Sequence, residues 1–535
     1  MFQGLSVFRG GFTREAAEQV ASAELHELRS LASKSLVQPT SESRYEVHEL
    51  LRQYAAEKLQ ALPDAATDIA DRHCAYYTAA LQRWEADLIG PKQSTTSVEA
   101  EEESGNIRTA WTWAVEQRQI ERLDRAMEGL DHFYWHSGRL REAEAAFQAA
   151  AAAAGAAANE AATQGPDARA NCLRVQVRAL AWQSHFQRLT AQWDAARQVQ
   201  QKCLAILRDP ALCGLDTRLE RAVLSWSVGY TLVWMADYTR ARQQIEECYS
   251  LFRALGLRWG MTWALYGLGI TSMILGDYGE ARQRLEEGLA INRALGNQQG
   301  VASHVSRLSG IACEEGRLEE AECLAREGVA ASLEAGSRTR SALPLLKLGE
   351  VLVKVAKFSE AHSVLQQSLE LYTDLGRRDF ITIARSSLGS VALHLGRYEE
   401  ARDQAQTGLA LAREHGSQYC IGPNLLLLGC LEVAQGVPAT AHRLLEESAA
   451  VYREGRPKAD LALALACLAI AARGLGDTPG ARQHLCHALE SAQESRAVPP
   501  LMWALPATAL LLAGEGENER AVELYALSSR FPLVA

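Results

Sequence analysis

Several residue types that mark other classes of protein are scarce in this chain of 535 residues. Proline occurs 14 times and aromatic residues make up 7%, whereas 48% of the residues are hydrophobic, with alanine and leucine abundant. Alanine and leucine lose little conformational freedom on entering a helix, and proline interrupts one. The composition therefore favours a helical protein with a packed core over a disordered or proline-rich one.

The features of secreted and membrane-inserted proteins are also missing. The 11 cysteines are scattered and never form a Cys-x-x-Cys pair, whereas a secreted disulfide framework has regular spacings. The longest apolar run, residues 461–472, is short, because a helix needs about 20 such residues to cross a bilayer. The first residues lack the basic segment and apolar core of a signal peptide. We therefore predict a cytoplasmic protein with reduced thiols and no membrane partner.

Positive charge is neither abundant nor clustered. The formal net charge is -10, and no run of five basic residues occurs. Residues 1–62 contain seven Lys or Arg residues and eight Asp or Glu residues. An acidic chain repels phosphate backbones unless one face concentrates its cations. Nucleic acid is therefore a disfavoured partner.

No catalytic or metal-binding motif is complete. The sequence has no Gly-x-Ser-x-Gly elbow and no Gly-x-x-x-x-Gly-Lys-Ser/Thr loop for phosphates. His48 and Glu49 begin like the zinc motif His-Glu-x-x-His, but Arg52 stands where the second histidine is needed. We interpret the short His/Cys group at 484–487 as a helix end. These absences predict a non-enzymatic protein with no catalytic residues, no cofactor and no metal.

Internal periodicity is the strongest signal in the sequence. An aliphatic residue precedes the first seven of the repeated alanines by 13 positions, a small residue follows all eight by seven, and a glycine closes several units. The alanines recur at intervals of 40 residues, at Ala241, Ala281, Ala321, Ala361, Ala401, Ala441, Ala481 and Ala521. The pattern predicts antiparallel helix pairs that cross closely at the alanine, end at the glycine and stack as a solenoid.

This pattern resembles the tetratricopeptide repeat. Leu268-Gly269, Ala281 and Gly288 match the family's spacing of a Leu-Gly pair followed by two small residues. The period of 40 exceeds the usual repeat of about 34 residues, as in the long-period arrays of bacterial regulators such as the maltose-regulon activator. The resemblance implies an all-α fold, a right-handed tetratricopeptide-like α-solenoid whose first helices line a groove.

Residues 1–62 have a different pattern. Thr13 is expected to cap a helix that runs to Val20, and three leucines spaced along residues 25–31 mark a second helix that ends near Ser33. Short strands at 36–38 and 45–47 are expected around a turn at 40–43, before a third helix from about 48 to 62. Helices combined with a small hairpin predict a winged-helix shape.

The N-terminal segments resemble STAND-class signalling ATPases, such as AfsR-like and LuxR-like bacterial regulators. Residues 5–13, 31–37 and 44–56 resemble that family's winged helix, and residues 101–111 and 133–138 resemble the helices after it. The resemblance implies that the winged helix clamps the molecule internally and that the repeats act as a sensor. In that family a P-loop (NB-ARC) ATPase domain comes first, whereas here the sequence begins inside the winged helix.

Three regions are therefore predicted. They are a truncated winged-helix module at 1–62, a helical linker with a degenerate first repeat at 63–165, and the tetratricopeptide-like solenoid at 166–535. The alanine-rich stretch before residues 164–166 ends in a break that we interpret as the second boundary.

The solenoid groove is the predicted binding site. Positions three before, one after and four after the glycine of each Leu-Gly pair are expected to face it, together with a tryptophan one turn earlier. Tryptophan and tyrosine anchor interfaces well, although the same residues can instead pack between hairpins as core. The candidate residues are Trp226, Tyr230, Trp263, Tyr266, Ile270 and Met273.

Together these patterns predict a non-catalytic scaffold that binds a protein, peptide or small effector as the sensor portion of a STAND-like signalling or transcriptional regulator. An ATPase domain on another chain, or in a missing N-terminal part, would supply the output. The alternative is a stand-alone tetratricopeptide adaptor without switching. A DNA-binding regulator that acts through the winged helix is a less favoured hypothesis, because residues 1–62 have no excess of positive charge to attract DNA phosphates.

Overall fold

The computed structural model describes residues 1–40, 43–161, 165–336, 338–455 and 458–529. The centre of the turn expected at 40–43 and the first residue of the break expected at 164–166 lie outside these ranges. In the described part of the chain, helices account for nearly all regular structure. No helix there is both long and apolar enough to cross a bilayer.

The chain divides into two compact units. The first comprises residues 1–186 and 199–220, and the second comprises residues 187–198 and 221–535. Helices α9 (Pro166–Leu189), α10 (Trp193–Ile206) and α11 (Arg218–Trp234) contain the points at which the chain passes between the units.

The first unit begins with a small mixed region. A 3₁₀ helix at Phe2–Val7 precedes three short antiparallel strands in the order β1-β3-β2. The other elements are β1 (Phe12–Thr13), α1 (Arg14–Ala21), α2 (Leu25–Ser33), β2 (Gln38–Pro39), β3 (Arg44–Glu46) and α3 (Glu49–Gln60). The Thr13 hydroxyl accepts a hydrogen bond from the Ala16 backbone N–H, which confirms the predicted helix cap. Strands β2 and β3 lie within a residue or two of the predicted strands, and β1 is an additional strand.

Five further helices complete this part of the first unit. A buried polar network joins the first and third of them to the strands: Glu103 accepts hydrogen bonds from the Tyr77 hydroxyl at 2.8 Å and from Asn106 Nδ2 at 2.6 Å, and it pairs with Arg44. Asn106 Nδ2 also donates to the Gly11 carbonyl at 2.9 Å. The helices are α4 (Pro63–Leu88), α5 (Gln93–Glu102), α6 (Ser104–Glu116), α7 (Ile120–Ser137) and α8 (Leu140–Ala161). Gly11, Arg44 and Glu103 belong to the segments 5–13, 44–56 and 101–111 quoted above, and this network brings the three segments together.

The second unit is a run of helical hairpins, which confirms the predicted all-α solenoid. In each hairpin the odd-numbered helix is the first helix, and it packs against the even-numbered second helix that follows it. Each hairpin packs against the next. After α11 the helices are α12 (Tyr238–Leu255), α13 (Arg258–Ile274), α14 (Tyr278–Leu295), α15 (Gln298–Glu314), α16 (Leu318–Glu334), α17 (Ala342–Lys354), α18 (Phe358–Asp374), α19 (Arg378–His394), α20 (Tyr398–Glu414), α21 (Gln418–Ala434), α22 (Pro438–Gly455), α23 (Lys458–Gly474), α24 (Thr478–Ser495), α25 (Val498–Gly514) and α26 (Asn518–Ser528).

Small residues set the spacing within and between hairpins. All eight repeated alanines are buried, as predicted for a close helix crossing. A Cβ atom on Gly288 would lie 2.3 Å from His304 Nε2 of the next hairpin. Gly256 and Gly296 end their helices at φ values of 70° and 72°, which confirms the predicted left-handed helix caps.

The glycine of the Leu-Gly pair has a steric role. A Cβ atom on Gly349 would lie 2.4 Å from Leu365 Cγ, and the corresponding distance from Gly269 to Leu285 Cγ is 2.5 Å. In both of these hairpins the glycine therefore makes room for a fully buried leucine on the second helix.

Hairpins far apart in sequence also meet within the second unit. The ring of Trp234 in α11 lies 5.7 Å from that of Phe380 in α19 and 5.1 Å from that of Tyr419 in α21, centroid to centroid. A Cβ atom on Gly316 would lie 3.2 Å from Val498 of α25. The first helices therefore present their inner faces to one another around a shared interior.

Replacing Gly349 by alanine should destabilise the protein, because the new methyl group overlaps Leu365. Overpacking of this kind costs about 1–3 kcal/mol, against a gain of up to about 1 kcal/mol in helix propensity. The matched control is Gly310→Ala in α15, where nothing lies within 4 Å of the new Cβ atom. Thermal unfolding followed by circular dichroism should show a lower Tm for Gly349→Ala and an equal or higher Tm for Gly310→Ala. The steric role is wrong if both variants unfold alike.

Candidate functional site

Three of the six candidate residues form one aromatic group on the inner faces of α11 and α13. The rings of Trp226 and Trp263 are stacked, with centroids 4.8 Å apart and an interplanar angle of 26°. Tyr230 meets Trp226 edge-on at 5.6 Å, and its hydroxyl donates to the Trp263 carbonyl at 3.3 Å. Trp226 is buried, whereas Tyr230 and Trp263 are half-buried and keep part of their surface open. We call these three residues the aromatic group.

A cation from α9 covers the aromatic group. The guanidinium carbon of Arg188 lies 5.0 Å from the ring centroid of Tyr230 and 5.7 Å from that of Trp226. Burial lowers the pKa of Arg188 to about 10, and the nearby charge of Arg377 acts in the same direction. The guanidinium is still protonated at neutral pH, and its position over the rings is favourable for cation–π attraction.

Tyr266 holds a second buried cation. Its hydroxyl accepts a hydrogen bond of 2.8 Å from Arg307 Nε, and the guanidinium carbon lies 5.4 Å from the Tyr266 ring centroid. Arg307 is 9% exposed. Within the described residues Arg307 forms no ion pair with a carboxylate. The Tyr266 hydroxyl oxygen therefore accepts from only one of the five N–H donors of the Arg307 guanidinium.

The other two candidates, Ile270 and Met273, lie on the same helix as Tyr266 but are engaged differently. Ile270 is buried at 8% exposure. Met273 is half-buried and packs, as Tyr266 does, against a hydrophobic cluster that includes Leu285. The structure therefore places the candidates in three environments: the aromatic group, the arginine-bonded tyrosine, and the apolar packing of α13.

Charged residues that the sequence reasoning missed continue the inner faces. Lys347 Nζ and Glu350 Oε2 form an ion pair of 2.6 Å on α17. Asp460 of α23 is solvent-accessible, yet protein surrounds its carboxyl group closely enough that burial raises its pKa to about 7. Glu314 raises that pKa further and Lys354 opposes the shift. These five residues come from three hairpins.

A simple signal would have found some of these charges. Glu350 is one residue after the glycine of a Leu-Gly pair, which is a position already expected to face the groove. Lys347 stands two residues before Gly349, and Arg307 has the same repeat position before Ser309, which takes the place of the glycine; this position was left out of the prediction. Asp460 lies near the start of α23, so only the tertiary structure brings it close to Glu314.

A third group extends the inner faces to α18 and α19. Arg377 pairs with the fully buried Asp379 at 2.9 Å, and its guanidinium carbon lies 4.6 Å from the ring centroid of Phe380. Phe380 stacks on Tyr372 with centroids 4.7 Å apart. Because Asp379 neutralises Arg377, this group differs from Arg307.

A separate cleft of about 320 Å³ lies between α14, α15 and α16. An ion pair of 2.9 Å between Arg293 and Glu327 is part of its lining, together with Gln298. None of the six candidate residues lines this cleft.

Comparison with known families places one match inside the second unit. The family model for the tetratricopeptide repeat matches residues 380–454. These residues cover α20, α21 and most of α19 and α22.

Comparison with curated proteins finds bacterial regulators. Three proteins described as HTH-type transcriptional regulators, from Mycobacterium bovis and two strains of Mycobacterium tuberculosis, are each 27% identical to this chain over 286 residues. The alignment covers 50% of this chain and 30% of each relative. The chain therefore matches less than a third of the length of these relatives.

Comparison with solved structures finds similarities at low sequence identity. A Rap protein complexed with competence and sporulation factor is 16% identical, with a TM-score of 0.49 over 66% of this chain and 97% of that one. A STAND protein with a tetratricopeptide repeat sensor from Pyrococcus horikoshii is 12% identical, with a TM-score of 0.29 over 99% of this chain and 62% of that one.

The buried His304 beside Tyr266 should make stability fall in acid. Burial lowers the pKa of His304 to about 4, whereas an unfolded histidine titrates near 6.5. Between these values the unfolded chain binds the extra proton, so the free energy of unfolding decreases as pH falls from about 6.5 to 4. In His304→Leu the drop in Tm from pH 7 to pH 4.5 should be smaller than in the wild type. Equal drops in the two proteins would contradict a neutral buried imidazole.

Proposed function

We propose that the second unit binds a peptide or small effector that carries a carboxylate and an aromatic or apolar group, along the inner faces of α11, α13, α15 and α17. The tetratricopeptide-repeat match supports a binding scaffold of this general kind. The proposal concerns binding and involves no catalytic step.

The observation that carries the proposal is the state of Arg307. A buried guanidinium is costly unless its donors are satisfied and its charge is balanced. Tyr266 accepts from Nε only, and no carboxylate pairs with Arg307 in the described part of the chain. A carboxylate of the occupant can accept two parallel hydrogen bonds from a guanidinium, which is the strongest form of this contact.

The aromatic group supports a second contact with the same occupant. Tyr230 and Trp263 are half-buried, so they are the members of the aromatic group that a bound molecule would contact. Rigid aromatic side chains lose little conformational entropy on binding and often dominate affinity. Trp226 and Ile270 would act beneath this surface as support, because both are buried.

The regulatory role is a further step of the proposal. The relatives described as HTH-type transcriptional regulators and the STAND-like N-terminal segments together support a sensor portion of a STAND-like signalling or transcriptional regulator. In that role residues 1–62 would form a winged-helix module, residues 63–165 a linker with a degenerate repeat, and residues 166–535 the sensor. The response would pass to an ATPase domain on another chain or elsewhere in the protein, in the cytoplasm.

A stand-alone adaptor without switching is the second candidate. A partner complex whose affinity is unchanged by ATP would favour the adaptor, whereas ATP-dependent release would favour the switch. DNA binding through residues 1–62 would require affinity that falls steeply with salt. Acidic residues outnumber basic residues in that region, which disfavours DNA binding.

Removal of the Arg307 charge should weaken binding of carboxylate ligands. The probes are two pools of N-acetylated hexapeptides, one with free carboxylates and one in which each carboxylate is replaced by its amide, with tryptophan fluorescence as the readout. The wild type should bind the carboxylate pool more tightly. Arg307→Met should lower that affinity roughly 10- to 100-fold, as expected for a charge-assisted contact of about 1.5–3 kcal/mol.

The matched control is Arg326→Met on α16, the second helix of the same hairpin. Arg326 is exposed and pairs with Glu360 at 2.9 Å, so its loss should leave affinity unchanged. Circular dichroism establishes that each variant is folded. The proposal fails if the two pools bind equally well, or if both arginine variants lose affinity to the same extent.

A further inference from the structure

The second helices of the hairpins carry a recurring cation on their exposed side. The residue directly after the repeated alanine is arginine in α12, α14, α20 and α24. In α12 this residue, Arg242, pairs with Glu280 of α14 at 2.7 Å and so links two successive hairpins. In α22 the same position is His442. The contact between α22 and α24 therefore cannot be the Arg–Glu ion pair that joins α12 to α14, and a histidine stands in its place.

Two further ligand-type side chains stand beside His442. Glu446 lies one helical turn later on the same face of α22, because residues four apart on a helix are neighbours. His484 lies inside α24 and not at the helix end expected for residues 484–487, and its ring centroid is 6.2 Å from that of His442. One ligand atom from each of these three residues lies within 4.8 Å of the other two, and all three residues are half-buried.

We propose that His442, Glu446 and His484 bind one divalent transition-metal ion, with zinc as the first choice. Two imidazoles and one carboxylate are a ligand set that zinc accepts while it keeps a fourth position for water. Zinc bonds to these atoms are about 2.0–2.2 Å long, so tetrahedral ligand atoms lie about 3.4 Å apart. Small side-chain rotations close the present separations, since none of the three residues is locked in the core.

One neighbouring cation competes with a metal for the carboxylate of this cluster. Arg453 approaches Glu446 Oε2 at 3.7 Å with half of its side chain exposed, and such surface pairs are weak. Arg453 can therefore give way to an ion.

The site would connect two neighbouring hairpins. A metal bound by α22 and α24 takes the place that the Arg242–Glu280 ion pair has between α12 and α14. It involves the second helices, whereas the proposed effector contacts the first helices. The inference therefore does not depend on the proposed binding function.

The test is metal titration of the full chain with a phosphine reductant present. Zinc binding by calorimetry should show one equivalent, and cobalt(II) should give visible absorption bands of a tetrahedral or five-coordinate site. His442→Ala and His484→Ala should each lower the affinity on the order of 100-fold, at least the loss seen when an outer-shell partner is removed. Zinc should raise the Tm of the wild type but not of these variants.

Two variants serve as controls. His362→Ala removes a histidine in the same repeat position, where it pairs with Glu400 at 3.1 Å, and it should leave affinity unchanged. Cys486→Ser tests whether the exposed thiol beside His484 is the real ligand. Circular dichroism without metal establishes folding. The inference is overturned if His442→Ala and His484→Ala bind like the wild type, if Cys486→Ser abolishes binding, or if the wild type binds no zinc.

Discussion

The close approach of the two helices in each hairpin is the constraint on which the second unit depends. The repeated alanine and the glycine of the Leu-Gly pair lie where the helices cross, and the glycine leaves room for a buried leucine such as Leu365. Helices that approach closely exclude water from their shared face and pack at the density of a crystal. Since a single hairpin cannot bury both of its faces, its neighbours must cover the remainder.

This constraint also explains why the inner faces are free to differ from one repeat to the next. Alanine, glycine and leucine hold the geometry, so positions such as 230, 270, 310 and 350 can be tyrosine, isoleucine, glycine and glutamate without a change of fold. The arginines at 188 and 307 are tolerated there because tyrosine and tryptophan rings face them. The repeat is thus uniform in its packing residues and variable in the residues of its inner faces.

The helical hairpins could be predicted from the sequence because the repeat period, the small residues and the capping glycines act locally. Each of these signals indicates one kind of structure. Trp226 and Tyr230 were expected on one helix face, and their rings do meet there. The sequence was insufficient for Asp460 and for the meeting of His442 with His484, because those contacts depend on how successive hairpins are rotated. It also missed β1, a strand of only two residues that exists through its pairing with β3.

Contacts between Trp234 and the rings of Phe380 and Tyr419 have a consequence for cooperativity. Repeat proteins whose units touch only their neighbours are described by nearest-neighbour energetics, and their ends unravel independently. Here the first hairpin also contacts the fifth and sixth, so these hairpins are coupled directly as well as through the hairpins between them. The array should therefore unfold as a larger cooperative block than its period implies, and a change at one hairpin is transmitted across the interior as well as along the chain.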